Sequence, residues 1–250
     1  YLYTFTTRTV LTRIGIISAL QSETTCLSCN KLAPGVAYDI NERMTLMLSG
    51  MGENNVRQTL DSLFSQQVDG LISFGTAGAL ATELRSGDIL LPEKILDSSG
   101  KIHFVSSPWR DKVSQQLANS PTIVHSGDLL TSTNIIADAD NKKVLAKKTG
   151  ALAVDMESAL ITQIAHSQQL PTITLRVIVD ESTTCIPEKI LKNTDAYGQA
   201  NIPAIFASIV RNPLLLRDLL TLASAFEKAK KTMRWIGNHA DRLSLPNSQA

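Results

Sequence analysis

Thr172-Ile-Thr-Leu-Arg176-Val-Ile-Val-Asp180 is the stretch on which the fold reading turns. It is apolar and β-branched at consecutive positions rather than alternate ones, the pattern of a strand covered on both faces, as in parallel sheets packed between helices. The same pattern recurs at Arg13-Ile-Gly-Ile-Ile-Ser18, Thr45-Leu-Met-Leu-Ser49 and Gly70-Leu-Ile-Ser-Phe74. Further strands are expected at Asp88-Ile-Leu-Leu91, Ile102-His-Phe-Val105, 122–125 and 151–154. Between these runs, helical spacing predicts helices over 54–67, 108–118, 138–148, 156–169, 202–210 and 213–230, with Pro203 and Pro213 suited to first turns. Strands alternating with helices predict an α/β fold: a single domain over 13–250, with a twisted, mostly parallel or mixed central sheet flanked by helices. Residues 1–12 are set aside as an N-terminal extension or irregular segment. The polar stretch 181–199 is the nearest thing to a boundary.

Composition narrows the function. The chain has 250 residues, 43% of them hydrophobic and only 5% aromatic, which is enough for a large aliphatic core. A net charge of +1 gives no broad attraction to nucleic acid or anionic lipid, so a small molecule is the expected partner. Cys26, Cys29 and Cys185 form neither a disulfide framework nor a zinc pattern, and are read as reduced thiols. His103, His125, His166 and His239 lack paired metal-ligand spacing, so no metal or other cofactor is expected. No run reaches the roughly 18 apolar residues of a membrane helix, and the first residues lack a signal-peptide pattern, so no integral membrane segment and a cytoplasmic location are expected. The leucine-rich face ending at Phe226, followed by Lys228, Lys230, Lys231 and Arg234, reads as a docking helix with a solvated basic tip.

Ligands of open parallel sheets bind beyond the carboxyl ends of the strands. Four such positions stand out: Ser18-Ala-Leu-Gln-Ser-Glu23, Gly50-Met-Gly52, Gly75-Thr-Ala-Gly78 and Asp180. The glycines permit close approach of the backbone to a ligand, but neither pair completes a dinucleotide fingerprint or a phosphate loop. Ala153-Val-Asp155-Met156-Glu157-Ser158 places two more carboxylates at the start of an expected helix, where the helix dipole favours acidic residues whatever their function.

Taken in order, Ile14-Gly-Ile-Ile-Ser-Ala-Leu-Gln-Ser-Glu23, Ser49-Gly-Met-Gly52, Phe74-Gly-Thr-Ala-Gly78 with Gly87-Asp88, Val154-Asp-Met-Glu157 and Arg176-Val-Ile-Val-Asp180 resemble the motifs of the nucleoside phosphorylase superfamily. Within it they are most similar to the methylthioadenosine/S-adenosylhomocysteine nucleosidases. This resemblance spans residues 13–182 and implies the superfamily's fold. Residues 187–226, with Asn212-Pro-Leu-Leu-Leu-Arg-Asp-Leu-Leu220, are similar to the hopanoid-associated phosphorylases, which remove adenine from an adenosylated hopanoid.

The resemblance implies cleavage of the N-glycosidic bond of a 5′-substituted adenosine-type nucleoside. Asp180 would protonate or hydrogen-bond purine N7, and Glu23 would activate water, with Thr76 holding the nucleophile. Glu157 would grip the ribose hydroxyls while Met156 packs on the sugar face. Ala77 and Gly78 belong to the same glycine-bearing motif, Leu20 and Met51 would line the 5′ end, and Arg176 would brace the nucleophile or pair with an acid. Two departures bear on the base: the nucleosidases' adenine-stacking aromatic is replaced by Leu130, and their serine beside the acid by Val179. The purine phosphorylases carry an arginine where this chain has Ser73. Phosphorolysis needs a cationic cradle, which leaves Arg43, Arg57, Arg85 and Arg176 as candidates, with water and phosphate both open as nucleophile and phosphate as a possible co-substrate. Relatives assemble, so a homodimer or higher homo-oligomer is implied. The rival class is a nucleoside-binding or regulatory protein of this fold that has lost catalysis.

Overall fold

The computed structural model describes residues 12–186, 195–198 and 215–246. The chain enters through β1 (Ile14–Ser18), α1 (Gln21–Ser28), β2 (Tyr38–Asn41), β3 (Met44–Leu48) and α2 (Glu53–Ser65). It continues through β4 (Gly70–Ala79), β5 (Ile89–Leu96), β6 (Ile102–Phe104), α3 (Ser107–Gln116), β7 (Val124–Thr131) and α4 (Ala139–Thr149). Then follow β8 (Ala153–Asp155), α5 (Ser158–Ser167), β9 (Thr172–Ile178), α6 (Leu215–Gly237) and a short 3₁₀ turn at Ala240–Leu243.

The strands pair in the order β2-β3-β1-β4-β8-β7-β5-β6, while β9 pairs with both β4 and β5. The β4-β8-β7-β5-β9 pairings therefore close into a ring of five strands, and β1, β3 and β2 extend from it as an open wing. Five pairings are parallel and four antiparallel, so the sheet is mixed. The antiparallel members are short or at edges, apart from β9 on β5, where only Ile89 and Leu90 face Val177 and Arg176.

Both faces of the wing are covered, which is why its runs are apolar at every position. On one side Ile14, Ile16 and Leu46 pack with Trp109 of α3 and with Ala229, Met233 and Ile236 of α6. On the other, Ile17, Met47 and Leu71 meet Val56, Leu60 and Leu63 of α2 and Ile161 of α5. A third apolar cluster joins Ala77, Leu90, Leu129, Ala153 and Ile178 from all five ring strands.

Several boundaries differ from expectation for identifiable reasons. The helix expected over 156–169 begins at Ser158, because Glu157 is its N-cap and Met156 precedes it. β7 runs on to Thr131 instead of stopping at 125, carried by its pairing with β5 and β8. α1 and β2 are short and polar, and neither shows a hydrophobic period. The helix expected over 202–210 lies outside the described residues. α6 extends past 230, and its buried stripe is Ala229, Met233 and Ile236; Leu220 of the expected leucine face is 63% exposed.

Trp109 is the largest fully buried side chain, and its indole Nε1 donates to the Leu243 carbonyl at 3.0 Å, tying the last turn to α3. Trp109→Ala is expected to cost about 3–5 kcal/mol by emptying this site. Equilibrium denaturation should show it as a lower midpoint with a native-like slope.

Candidate active site

The carboxyl ends of β1, β4 and β9 lie side by side, since all three run parallel with Ile17 beside Ser73 and Gly75 beside Arg176. A cavity of about 280 Å³ opens there. Leu20 and Glu23 reach it from the start of α1, Met51 from the turn after β3, and Thr76, Ala77 and Gly78 from β4. Met156 and Glu157 enter from the β8–α5 junction, and Arg176 and Asp180 from β9 and the residues after it. Ten of the eleven residues singled out from the sequence thus line one space; Leu130 does not.

Arg176 is buried at the cavity floor, and its guanidinium makes four hydrogen bonds. Its Nε donates to Asp155 Oδ2 at 2.8 Å, and its Nη2 donates to Ser73 Oγ at 2.7 Å and Ser158 Oγ at 2.8 Å. Asp155 also accepts from Thr131 Oγ1 at 2.7 Å and from the Ser158 amide and hydroxyl. Asp155 is therefore a buried structural acid that joins β7, β8, α5 and β9. Ser73, at the place of the phosphorylase arginine, is small enough to receive the guanidinium from the neighbouring strand.

Glu23 sits in the first turn of α1 yet is only 2% exposed. Its Oε1 accepts from the Thr76 amide and hydroxyl, both at 2.8 Å, and its Oε2 accepts from the Leu20 amide at 3.0 Å. The last contact is the backward reach of a capping box, so one carboxylate both starts the helix and grips β4. A Cβ on Gly75 would lie 2.9 Å from Glu23 Oε1, and one on Gly78 would lie 3.0 Å from Asp180 Oδ2. Both glycines are needed because carboxyl groups press directly on the strand. Burial raises the Glu23 carboxyl above its ordinary range, opposed by Arg176 and by these hydrogen bonds.

Glu157 is half-buried at the cavity wall. Loss of solvent pushes its pKa up to about 8, the Asp155 charge adds to this, and Arg176 only partly opposes it. Asp180 Oδ2 receives Lys142 Nζ, a lysine of α4 that is 0% exposed. The same Nζ donates to the carbonyls of Glu181 at 3.0 Å and Thr184 at 2.9 Å. Nothing in the sequence singles out Lys142, which belongs to a polar helix with lysines on several sides.

Leu130 packs in a separate apolar cluster with Leu80, Ala151 and Val154. Because β7 continues to Thr131, this residue is held inside the sheet, and Ile135 and Ile136 of the following loop line the cavity instead. Among the other candidate arginines, Arg57 pairs with Glu53 along α2, and Arg85 bonds the Thr82 carbonyl and Glu181. Arg43 lies in the β2–β3 turn. None of these three lines the cavity. The motif pair Gly87-Asp88 is structural: Asp88 accepts from the Arg85 amide at 2.9 Å and Thr122 Oγ1 at 3.0 Å, with His125 Nε2 3.0 Å away. Backbone carbonyls of Ala196 and Tyr197 accept from the amides of Met51 and Gln21 and cover the Leu20–Met51 end. Phe226 of α6 also lines the cavity. The three cysteines are free thiols, and no cluster able to hold a metal ion occurs among the described residues.

The raised Glu157 pKa has a stability consequence. Between its ordinary value of 4.5 and about 8, the folded chain holds a proton that the unfolded chain has released. Stability contributed at this position therefore falls as pH rises through that window. Glu157→Gln removes the slope, so the variant's thermal midpoint relative to wild type should climb from pH 5 to pH 8. Parallel melting curves over that range would contradict the assignment.

The model of the Phosphorylase superfamily matches residues 20–208. A 5′-methylthioadenosine/S-adenosylhomocysteine nucleosidase of Buchnera aphidicola subsp. Baizongia pistaciae (strain Bp) is 29% identical over 199 residues, covering 68% of this chain and 79% of the relative. The nucleosidase of the same description from Staphylococcus aureus (strain JH9) is 26% identical over 198 residues, covering 67% and 86%. Among solved structures, futalosine hydrolase of Helicobacter pylori superposes with a TM-score of 0.67 at 15% identity, covering 93% of this chain and 97% of that one. The Neisseria meningitidis 5′-methylthioadenosine/S-adenosylhomocysteine nucleosidase, solved with methylthio-immucillin-A, gives 0.65 at 18% identity, covering 91% and 100%. The mixed sheet, the family model and these relatives agree: the chain belongs to the phosphorylase superfamily.

Proposed function

We propose that the chain is an enzyme that hydrolyses the N-glycosidic bond of a 5′-substituted adenosine, releasing adenine. The observation that carries this reading is the convergence of Glu23, Glu157 and Asp180 on one cavity, each from a different element. The nucleosidase names of its relatives support the reaction class.

In this reaction the C1′–N9 bond breaks and its electron pair passes to the base. Asp180 donates a proton to N7, so the base leaves neutral, and is later recharged from solvent. Glu23 takes a proton from water as the oxygen bonds to C1′. A carboxylate has about four acceptor sites, and protein donors fill three of those on Glu23, leaving one for the water. Burial strengthens Glu23 as a base. Glu157 holds the ribose hydroxyls, and in its protonated form it both donates to and accepts from a diol. Met156 lies against the sugar, and Ile135 and Ile136 cover the base. Leu20, Met51 and Phe226 give the 5′ end an apolar wall suited to a thioether or, at greater length, a hopanoid chain.

Water is favoured over phosphate by charge. Arg176 is the only arginine of the described residues on the cavity, and its donors are committed to Asp155, Ser73, Ser158 and the Leu175 carbonyl. A phosphate dianion would meet the Glu23 carboxylate with no cation free to offset the repulsion. The enzyme needs no cofactor in this scheme, acts in the cytoplasm on a small molecule, and works as a homo-oligomer.

Free adenine should appear from methylthioadenosine, S-adenosylhomocysteine or an adenosyl hopanoid at the same rate with and without phosphate. Asp180→Asn should lower kcat roughly 10²- to 10⁴-fold, the usual worth of a general acid. A strict phosphate requirement would overturn hydrolysis. Nucleoside binding without turnover by the wild type would instead establish the binding-protein reading.

A further inference from the structure

Among the described residues one lysine, Lys142, is fully buried, and it is bonded to the side chain assigned as the acid. Lys142 Nζ contacts Asp180 Oδ2 and donates to the Glu181 and Thr184 carbonyls, which fills all three of its hydrogen-bonding directions. A lysine is almost never fully buried unless paired, so this placement costs stability that a surface lysine would not. Its position is set from two sides. The N-cap Asp138 starts α4 by accepting from the Asn141 amide at 3.0 Å, and its carbonyl accepts from the Lys142 amide at 3.0 Å. The segment after Asp180 is joined to the residue preceding that cap, with the Ile186 amide donating to the Ala137 carbonyl at 2.9 Å. Ile135, Ile136 and Ile186 from these two segments line the cavity beside Asp180.

We propose that Lys142 is a positioning residue for the glycosidic cleavage, acting through Asp180. It fixes the carboxyl by Oδ2, leaving Oδ1 as the oxygen that addresses the base, and it staples residues 181–186 against the start of α4. Its ammonium also stabilises the carboxylate that Asp180 becomes once its proton has passed to the departing base. Gly78 completes the arrangement on the opposite side, since a Cβ there would lie 3.0 Å from Oδ2 and 3.1 Å from Oδ1. The other charged groups close by are Glu181, whose carboxylate is 3.4 Å from Arg85, and Glu157 on the cavity wall.

This inference rests on the proposed cleavage reaction, and its test separates the two. Adenine release from methylthioadenosine is measured for wild type, Lys142→Met, Lys142→Arg, Asp180→Asn and the double variant Lys142→Met/Asp180→Asn. Lys142→Met should lower kcat roughly 10- to 100-fold, part of the usual worth of a general acid, with KM changed less than about threefold. Lys142→Arg, which keeps the charge, should recover part of that loss. In the Asp180→Asn background the same Lys142→Met change should cost less than about threefold, because its effect passes through the missing carboxylate. The double variant leaves neither charge buried alone, so it remains informative if Lys142→Met folds poorly. Equal fold-losses in both backgrounds, or a rise in KM with kcat unchanged, would overturn the proposal. If the wild type turns over no nucleoside, the functional reading fails. Hydrogen exchange then decides the staple: faster exchange at the Ile186 amide in Lys142→Met supports it, and unchanged exchange removes it.

Discussion

The buried pair of Arg176 and Asp155 is the constraint on which the rest of the site depends. Arg176 lies in the middle of β9, covered on both sides, so its charge is tolerable only while it stays paired and hydrogen-bonded. Asp155 sits at the end of a three-residue strand that pairs with β4 and β7, and Arg176 supplies the only cation bonded to its carboxylate among the described residues. Losing either partner would leave the other charge buried alone, at a cost of about 3–5 kcal/mol. Through Thr131 and Ser158 the pair also fixes where β7 ends and where α5 begins, and hence where Glu157 stands.

That arrangement determines the electrostatics of the cavity. Glu23, Asp155 and Glu157 share the influence of one guanidinium, and Asp155 takes its closest contact. Burial raises the pKa of both Glu23 and Glu157, and the shared guanidinium only partly opposes it. A site of this kind is suited to managing protons and hydroxyl groups, and ill suited to accepting a multiply charged anion. Ser73 contributes by what it lacks: a long cationic side chain there would compete with Arg176 for the same space.

The elements that could be read from the sequence are those whose burial is local. β1, β3, β4 and β9 are continuous apolar runs, and their carboxyl ends fall where the sheet rule places a ligand. The carboxylates were legible through the motif series, because each stands a fixed distance beyond such a run. The motif position of Leu130 points to the cavity, but nothing in the sequence signals that β7 runs on from 125 to Thr131, and that extension keeps the side chain inside the sheet. Lys142 was hidden for the opposite reason. Its helix is polar overall, and the partners that bury its ammonium lie 38 to 42 residues away.

Coverage of the 5′ end follows a different logic from the catalytic end. The Gln21 and Met51 amides there are satisfied by backbone carbonyls of Tyr197 and Ala196, from a segment remote in sequence. Backbone pairing leaves no signature in residue type, so the sequence pattern of 195–198 carries no hint of its placement. It also separates two kinds of constraint within one cavity. Around Glu23 and Asp180, carboxyl groups are held directly against β4, down to the glycines at 75 and 78 that leave room for them. At the other end, Leu20, Met51 and Phe226 present an apolar surface that excludes water without demanding one partner shape. Substitution along that wall can therefore reshape this end of the cavity while the hydrogen-bonded carboxyl groups at the other end stay fixed.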